Sequence, residues 1–142
     1  MLKPGAFWDA STLVPLCIRQ PLSPRSFKLF ETYQVTVWWA TPVEMTSALA
    51  RLLRRQEIAQ PIYTQAMREM DGIANLWDVI APLEKVARDA RALLELYPLR
   101  AANALQLAAA LTWCEGNPKG NVFLTFDHRL REAAQSAGFT LE

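Results

Sequence analysis

GNVFLTFDHRLREAAQSA, residues 120–137, runs from a turn through a strand into a helix. Val122–Phe126 is a continuous apolar run interrupted only by the hydroxyl of Thr125, the pattern of a strand buried on both faces of a parallel sheet. Asn117, Pro118 and Gly120 form the turn before it. Asp127 follows the strand directly, and His128–Ala137 reads as a helix, with a last strand over Phe139–Leu141. Just upstream, Leu99–Trp113 is a helix apolar nearly all round, as expected of one packed on several sides.

The same alternation runs back to the start of the chain. Gly5–Trp8 is a short apolar run ending at Asp9, and Ser11, Thr12 and a helical stretch through Leu16 follow. After a loop with Pro21 and Pro24 come a helix over Arg25–Tyr33 and a strand over Val35–Ala40, rich in β-branched and aromatic residues. Thr41 and Pro42 read as the N-cap and first-turn residue of a helix ending near Gln56, with Met45, Ala48, Leu49, Leu52 and Leu53 as its buried stripe. An amphipathic helix from about Pro61, a short strand over Val79–Ala81, and a helix opened by Pro82 with Leu83, Val86, Ala87, Ala90, Leu93, Leu94 and Tyr97 on its inner face complete the count; Pro98 ends the last of these. Strands alternating with helices predict one α/β domain over residues 1–142 with a mostly parallel sheet and right-handed crossovers.

The composition fits one such domain. Fifteen Lys+Arg against 14 Asp+Glu give a net charge of +1, so any nucleic-acid site must be local rather than a property of the whole surface. With 51% hydrophobic residues and 20% charged ones in 142, the chain has ample core and no signature of disorder. The longest uncharged run, Ala101–Cys114, carries Asn103, Gln106 and Thr112 and falls short of the roughly 18 apolar residues of a membrane span, so no membrane association is expected. Asp9 interrupts the place where a signal peptide needs its apolar stretch, which points to the cytoplasm. Cys17, Cys114 and the single His128 have no zinc-ligand spacing. Five Trp exceed the needs of a small core, and burial is expected for most of them.

Ligands of open parallel sheets bind at the carboxyl ends of the strands, which separates the acids of this chain into two groups. Asp9 and Asp127 follow strands directly, and Glu44 lies in the first helical turn after another, so all three are expected on one edge. Asp78 precedes its strand, and Asp71, Glu84 and Asp89 fall on exposed helical faces. Taken singly, each strand-end acid could be a helix cap. Together they repel one another unless a cation neutralises them, and hard oxygen donors favour Mg²⁺ or Mn²⁺. Such a metal generates hydroxide for in-line attack on a phosphodiester without a protein nucleophile. Arg51 and Arg55, seven and eleven residues beyond Glu44, lie within about 20° of its azimuth and form either a phosphate track or a solvated face. No Gly-rich phosphate loop and no Ser/His/Asp arrangement is present. A phosphoryl-accepting receiver would need a lysine after a late strand, whereas Lys119 precedes Val122.

Four blocks in order carry a resemblance to the PIN-domain nucleases, and within them to the VapC-type toxins of bacterial toxin–antitoxin pairs. FWDASTLVPL is similar to the family's first block, with Asp9 as its metal-binding acid and Ser11 as the hydroxyl two residues on. TPVEMTSALARL carries the family's Glu at Glu44, and VFLTFDHRLREAAQSAG supplies Thr125 and Asp127. In the third block, LRAANALQLAAAL, Asn103 stands where the family usually has Asp. The resemblance implies a three-layer α/β/α sandwich and metal-dependent cleavage of single-stranded or structured RNA by water. It implies Asp9, Glu44 and Asp127 as metal ligands, Asn103 as their catalytic assistant, and Ser11 and Thr125 as hydroxyls that position the acids. It also implies a homodimer silenced by a small antitoxin protein. Asn103 either faces the acidic cleft, the favoured reading, or is a hydrogen-bonded core amide. Because Asn brings no charge, the alternative to a ribonuclease is a catalytically weakened module of the same fold that binds RNA or protein.

Overall fold

The computed structural model describes residues 2–142. Five parallel strands, β1 (Gly5–Trp8), β2 (Gln34–Trp38), β3 (Asp78–Ile80), β4 (Val122–Leu124) and β5 (Thr140–Leu141), form one sheet in the order β3-β2-β1-β4-β5. The helices are α1 (Ala10–Cys17), α2 (Ser23–Thr32), α3 (Thr41–Arg54), α4 (Gln60–Ala74), α5 (Glu84–Leu96), α6 (Ala101–Trp113) and α7 (His128–Ala137). Strand pleating divides the apolar residues between two cores. Ala6, Trp8, Val35, Val37 and Leu124 point to the layer of α1–α4, whereas Phe7, Trp38 and Phe123 point to that of α5–α7. The result is the expected three-layer sandwich.

Several element boundaries differ from the sequence reading, each for a local reason. β4 stops at Leu124, not Phe126, because side chains take the next amides: Phe126 N donates to Ser11 Oγ (2.9 Å) and Asp127 N to Thr125 Oγ1 (3.0 Å). β2 runs over Gln34–Trp38, and Trp39 N reaches instead to Ile80 O. Thr41 is not the N-cap of α3. Ala40 takes that position without a side-chain bond, and the Thr41 hydroxyl is engaged by α6. β3 begins one residue earlier than expected, so Asp78 is its first residue, opposite Thr36, rather than a residue ahead of it. It remains at the amino end of β3. α5 starts at Glu84 with Leu83 as cap, and only Val86, Ala90 and Leu93 are buried; Leu83 and Leu94 lie outside because one narrow stripe packs on α6. β5 omits Phe139, which packs beneath α7 after Gly138 closes that helix in the left-handed region (φ 112°).

β1 lies between β2, the next strand in the chain, and β4, which the chain reaches only after four more helices. The order reverses at the β1/β4 junction, and the carboxyl edge there is where a doubly wound sheet leaves a crevice. Among the described residues no helix is long and apolar enough to cross a membrane.

Candidate active site

The crevice at that edge is a cleft of about 630 Å³. Asp9, Ser11, Glu44, Arg51, Asn103 and Asp127 all line it, together with Gln20 and Ser47. Asn103 therefore faces the cleft. Arg55 does not line it: it caps the C-terminus of α3, one turn past Arg51, where the helix has already carried it away from the rim.

Asp9 ends β1 and caps α1, accepting from Ser11 N at 3.4 Å. The residue is only 3% exposed. Both hydroxyls named by the motifs donate to the same oxygen, Ser11 Oγ at 2.6 Å and Thr125 Oγ1 at 2.8 Å to Asp9 Oδ2. Those hydroxyls are oriented in turn by the amides of Phe126 and Asp127, so each donor hydrogen is directed at the acid. Desolvation raises the Asp9 pKa from its ordinary value, and the hydrogen bonds from Ser11 and Thr125 oppose that rise. The interruption of β4 is thus what frees Thr125 to serve Asp9.

Glu44 stands in the first turn of α3, where the helix N-terminus favours a negative charge. Desolvation, then the nearby Asp9 charge, push its pKa up to about 7, while a hydrogen bond from Gln106 lowers it. Gln106 Nε2 donates to Glu44 Oε2 at 2.9 Å and to Thr41 Oγ1 at 3.1 Å. Sequence reasoning marked Gln106 only as a polar interruption of α6. Its place one turn beyond Asn103, on an otherwise apolar helix, was the available signal.

Asp127 plays a different part. Its Oδ1 accepts Leu130 N at 2.9 Å and caps α7, so one oxygen is committed to the helix. Among the described residues, no three His, Cys, Asp or Glu side chains come close enough to hold one ion. The three acids expected at the metal line one cleft; the Asp9 charge is near enough to raise Glu44, while Asp127 also caps a helix. The Asp9–Glu44 pair suits a hard divalent cation: its donors are all oxygen, burial disfavours both charges, and the Asp9 charge adds to that burden on Glu44.

A parallel sheet ordered 3-2-1-4-5 between two helical layers, with an acidic cleft at its switch point, defines an α/β protein of the PIN-like three-layer class. Solved structures of that fold match along most of their length. FitAcB from Neisseria gonorrhoeae has a TM-score of 0.66 at 16% identity, with 95% of this chain and 96% of that one covered. PAE2754 from Pyrobaculum aerophilum has a TM-score of 0.62 at 21% identity over 97% and 89%. A toxin–antitoxin complex from Klebsiella pneumoniae has a TM-score of 0.62 at 17% identity over 87% of each chain. At these identities the likeness is one of fold. No protein-family model and no curated protein matches the sequence.

Proposed function

We propose that this protein is the toxin component of a toxin–antitoxin pair and acts in the cytoplasm as a Mg²⁺- or Mn²⁺-dependent endoribonuclease. The observation that carries the reading is the Asp9–Glu44 pair lining one cleft at the switch point, two desolvated carboxylates that a divalent cation would stabilise in their charged form. Asp9 and Glu44 would hold the ion, with Asp127 and Asn103 facing it from the other strand end and from α6. A bound divalent ion supplies a Lewis acid for the phosphoryl oxygen and a water of lowered pKa. Ser11 and Thr125 keep Asp9 aimed, so that little reorganisation is needed when substrate enters. Arg51, at the rim, is placed to meet an RNA phosphate.

An antitoxin partner is supported by the structural neighbours, which include a toxin–antitoxin complex and "FitAB bound to IR36 DNA fragment". A hollow of about 690 Å³ beside the cleft, lined by Pro15, Leu16, Pro24 and the half-exposed Phe27, suits an apolar segment of an antitoxin. Trp39 (57% exposed) and Val43 near the end of β2 offer an apolar face to a second copy of the chain. The test of the enzymatic reading is cleavage of a mixed RNA substrate with Mg²⁺, Mn²⁺ or EDTA, with Asp9→Asn as control. Metal-dependent cleavage lost in the variant supports it; cleavage that survives EDTA and Asp9→Asn contradicts it. Asn103 favours a second reading, a binding module of the same fold, because it leaves the cleft one carboxylate short. No cleavage by the native chain, restored by Asn103→Asp, would select that reading.

A further inference from the structure

Gln106 is fully buried in α6, among Ala104, Leu107, Ala108, Ala109 and Ala110. Its side-chain nitrogen makes two hydrogen bonds, to Glu44 and Thr41, on a helix 62 and 65 residues earlier in the chain. Its side-chain oxygen, equally buried, has no partner among the described residues. An ionised carboxylate only accepts, and the amide presents its NH₂ group to Glu44, which leaves its buried carbonyl without a donor. A leucine or methionine would fill that space with no polar atom to satisfy. An amide there is a cost to the fold that the hydrogen bond to Glu44 must offset.

The two sides of the cleft show why Glu44 needs it. Asp9 is fixed by two hydroxyls that are themselves fixed by backbone amides. Glu44 has no such support from its own helix: α3 has no side-chain cap, and among the described residues Gln106 provides its only side-chain hydrogen bond. Asn103, the other polar residue that α6 presents here, brings no charge to pair or repel. We propose that Gln106 is a positioning residue, an amide clamp from α6 that fixes the Glu44 carboxylate in the orientation in which it and Asp9 accept one divalent cation. This inference rests on the metal-binding reading of the cleft. It assigns the ordering of Glu44 to a residue outside the four motif positions.

Calorimetric titration of the full chain with Mn²⁺ tests it, using Gln106→Met, which keeps length and bulk, and Gln106→Leu, alongside melting of each metal-free protein. Both variants are expected to bind Mn²⁺ about tenfold more weakly, the usual effect of removing a residue that orients a ligand. Their metal-free melting temperatures should equal or exceed that of the native chain, since the unpaired carbonyl is gone. Affinity and melting temperature falling together would make Gln106 a structural residue and overturn the inference. Native affinity in both variants would overturn it too, and leave the metal reading intact. Absence of Mn²⁺ binding by the native chain would overturn both.

Discussion

The two walls of the cleft are built by different means. On the β1/β4 wall, Asp9 is held by Ser11 and Thr125, and both hydroxyls are closed onto backbone amides, so every member of the chain of hydrogen bonds has a partner. On the α3/α6 wall, Glu44 is held by one amide, and that network ends in an unpaired buried carbonyl. The first wall is made from residues close to the strand ends, where the backbone itself supplies donors. The second is made from two helices meeting at a distance, where only side chains reach. Preorganisation is therefore complete on one side and depends on a single residue on the other.

The sharpest way to break the comparison is at Asp9. Asp9→Asn retains the α1 cap but removes the better-held carboxylate, so Mn²⁺ binding and RNA cleavage should fall to background. Because a buried, desolvated charge is removed, the metal-free protein should melt at a higher temperature. Calorimetry and melting curves on one preparation check both. Next in size is Thr125→Val, which removes a donor from Asp9 and leaves the Asp127 amide without its acceptor. Metal affinity should drop about 10- to 100-fold, and stability should fall by about 1–3 kcal/mol, measured by urea unfolding. A fall in both quantities is the signature of the closed network, opposite in stability to the change expected at Gln106.

Much of the first wall was legible in the sequence, because an acid directly after an apolar run marks a strand end whatever the rest of the fold does. Asp9 was found this way, and the family resemblance marked Ser11 and Thr125 beside it. On the second wall Glu44 and Asn103 were marked, but Gln106 was not. Periodicity assigns Gln106 to a helix but carries no information on which turn of α6 meets which turn of α3, so its bond to Glu44 could not be seen. The same limit applies to Asp127: a residue after a strand is also a residue before a helix, and only the structure shows that one oxygen is spent on Leu130 N. It applies again to Arg55, whose azimuth matched Glu44 although the cleft ends at Arg51, before the helix does. On α5 an apolar pattern wider than the buried stripe overstated the inner face, leaving Leu83 and Leu94 outside.

Acidity offers a smaller effect that compares the walls together. Asp9 and Glu44 are both raised, Glu44 to about 7, so between the ordinary carboxylate range and neutrality the folded chain holds protons that the unfolded chain has released. Stability should therefore be greatest at low pH within the folded range and decline as pH rises towards and through about 7. Melting of the metal-free protein from pH 5 to 8 should follow this decline, and Glu44→Gln should flatten the part near neutrality. The smallest change is expected at the rim. Arg51→Ala should reduce the logarithmic salt slope of RNA binding by about 0.7, one phosphate contact on a single strand, whereas Arg55→Ala should leave it unchanged; equal effects would remove the distinction between the two.

A crystal of the native chain soaked in Mn²⁺ tests most directly whether the two walls form one site. The account expects an anomalous peak in the cleft, with oxygens of both Asp9 and Glu44 within the roughly 2.0–2.6 Å of hard-cation coordination. No peak in the cleft, or one held by Asp127 without Asp9 and Glu44, would contradict it.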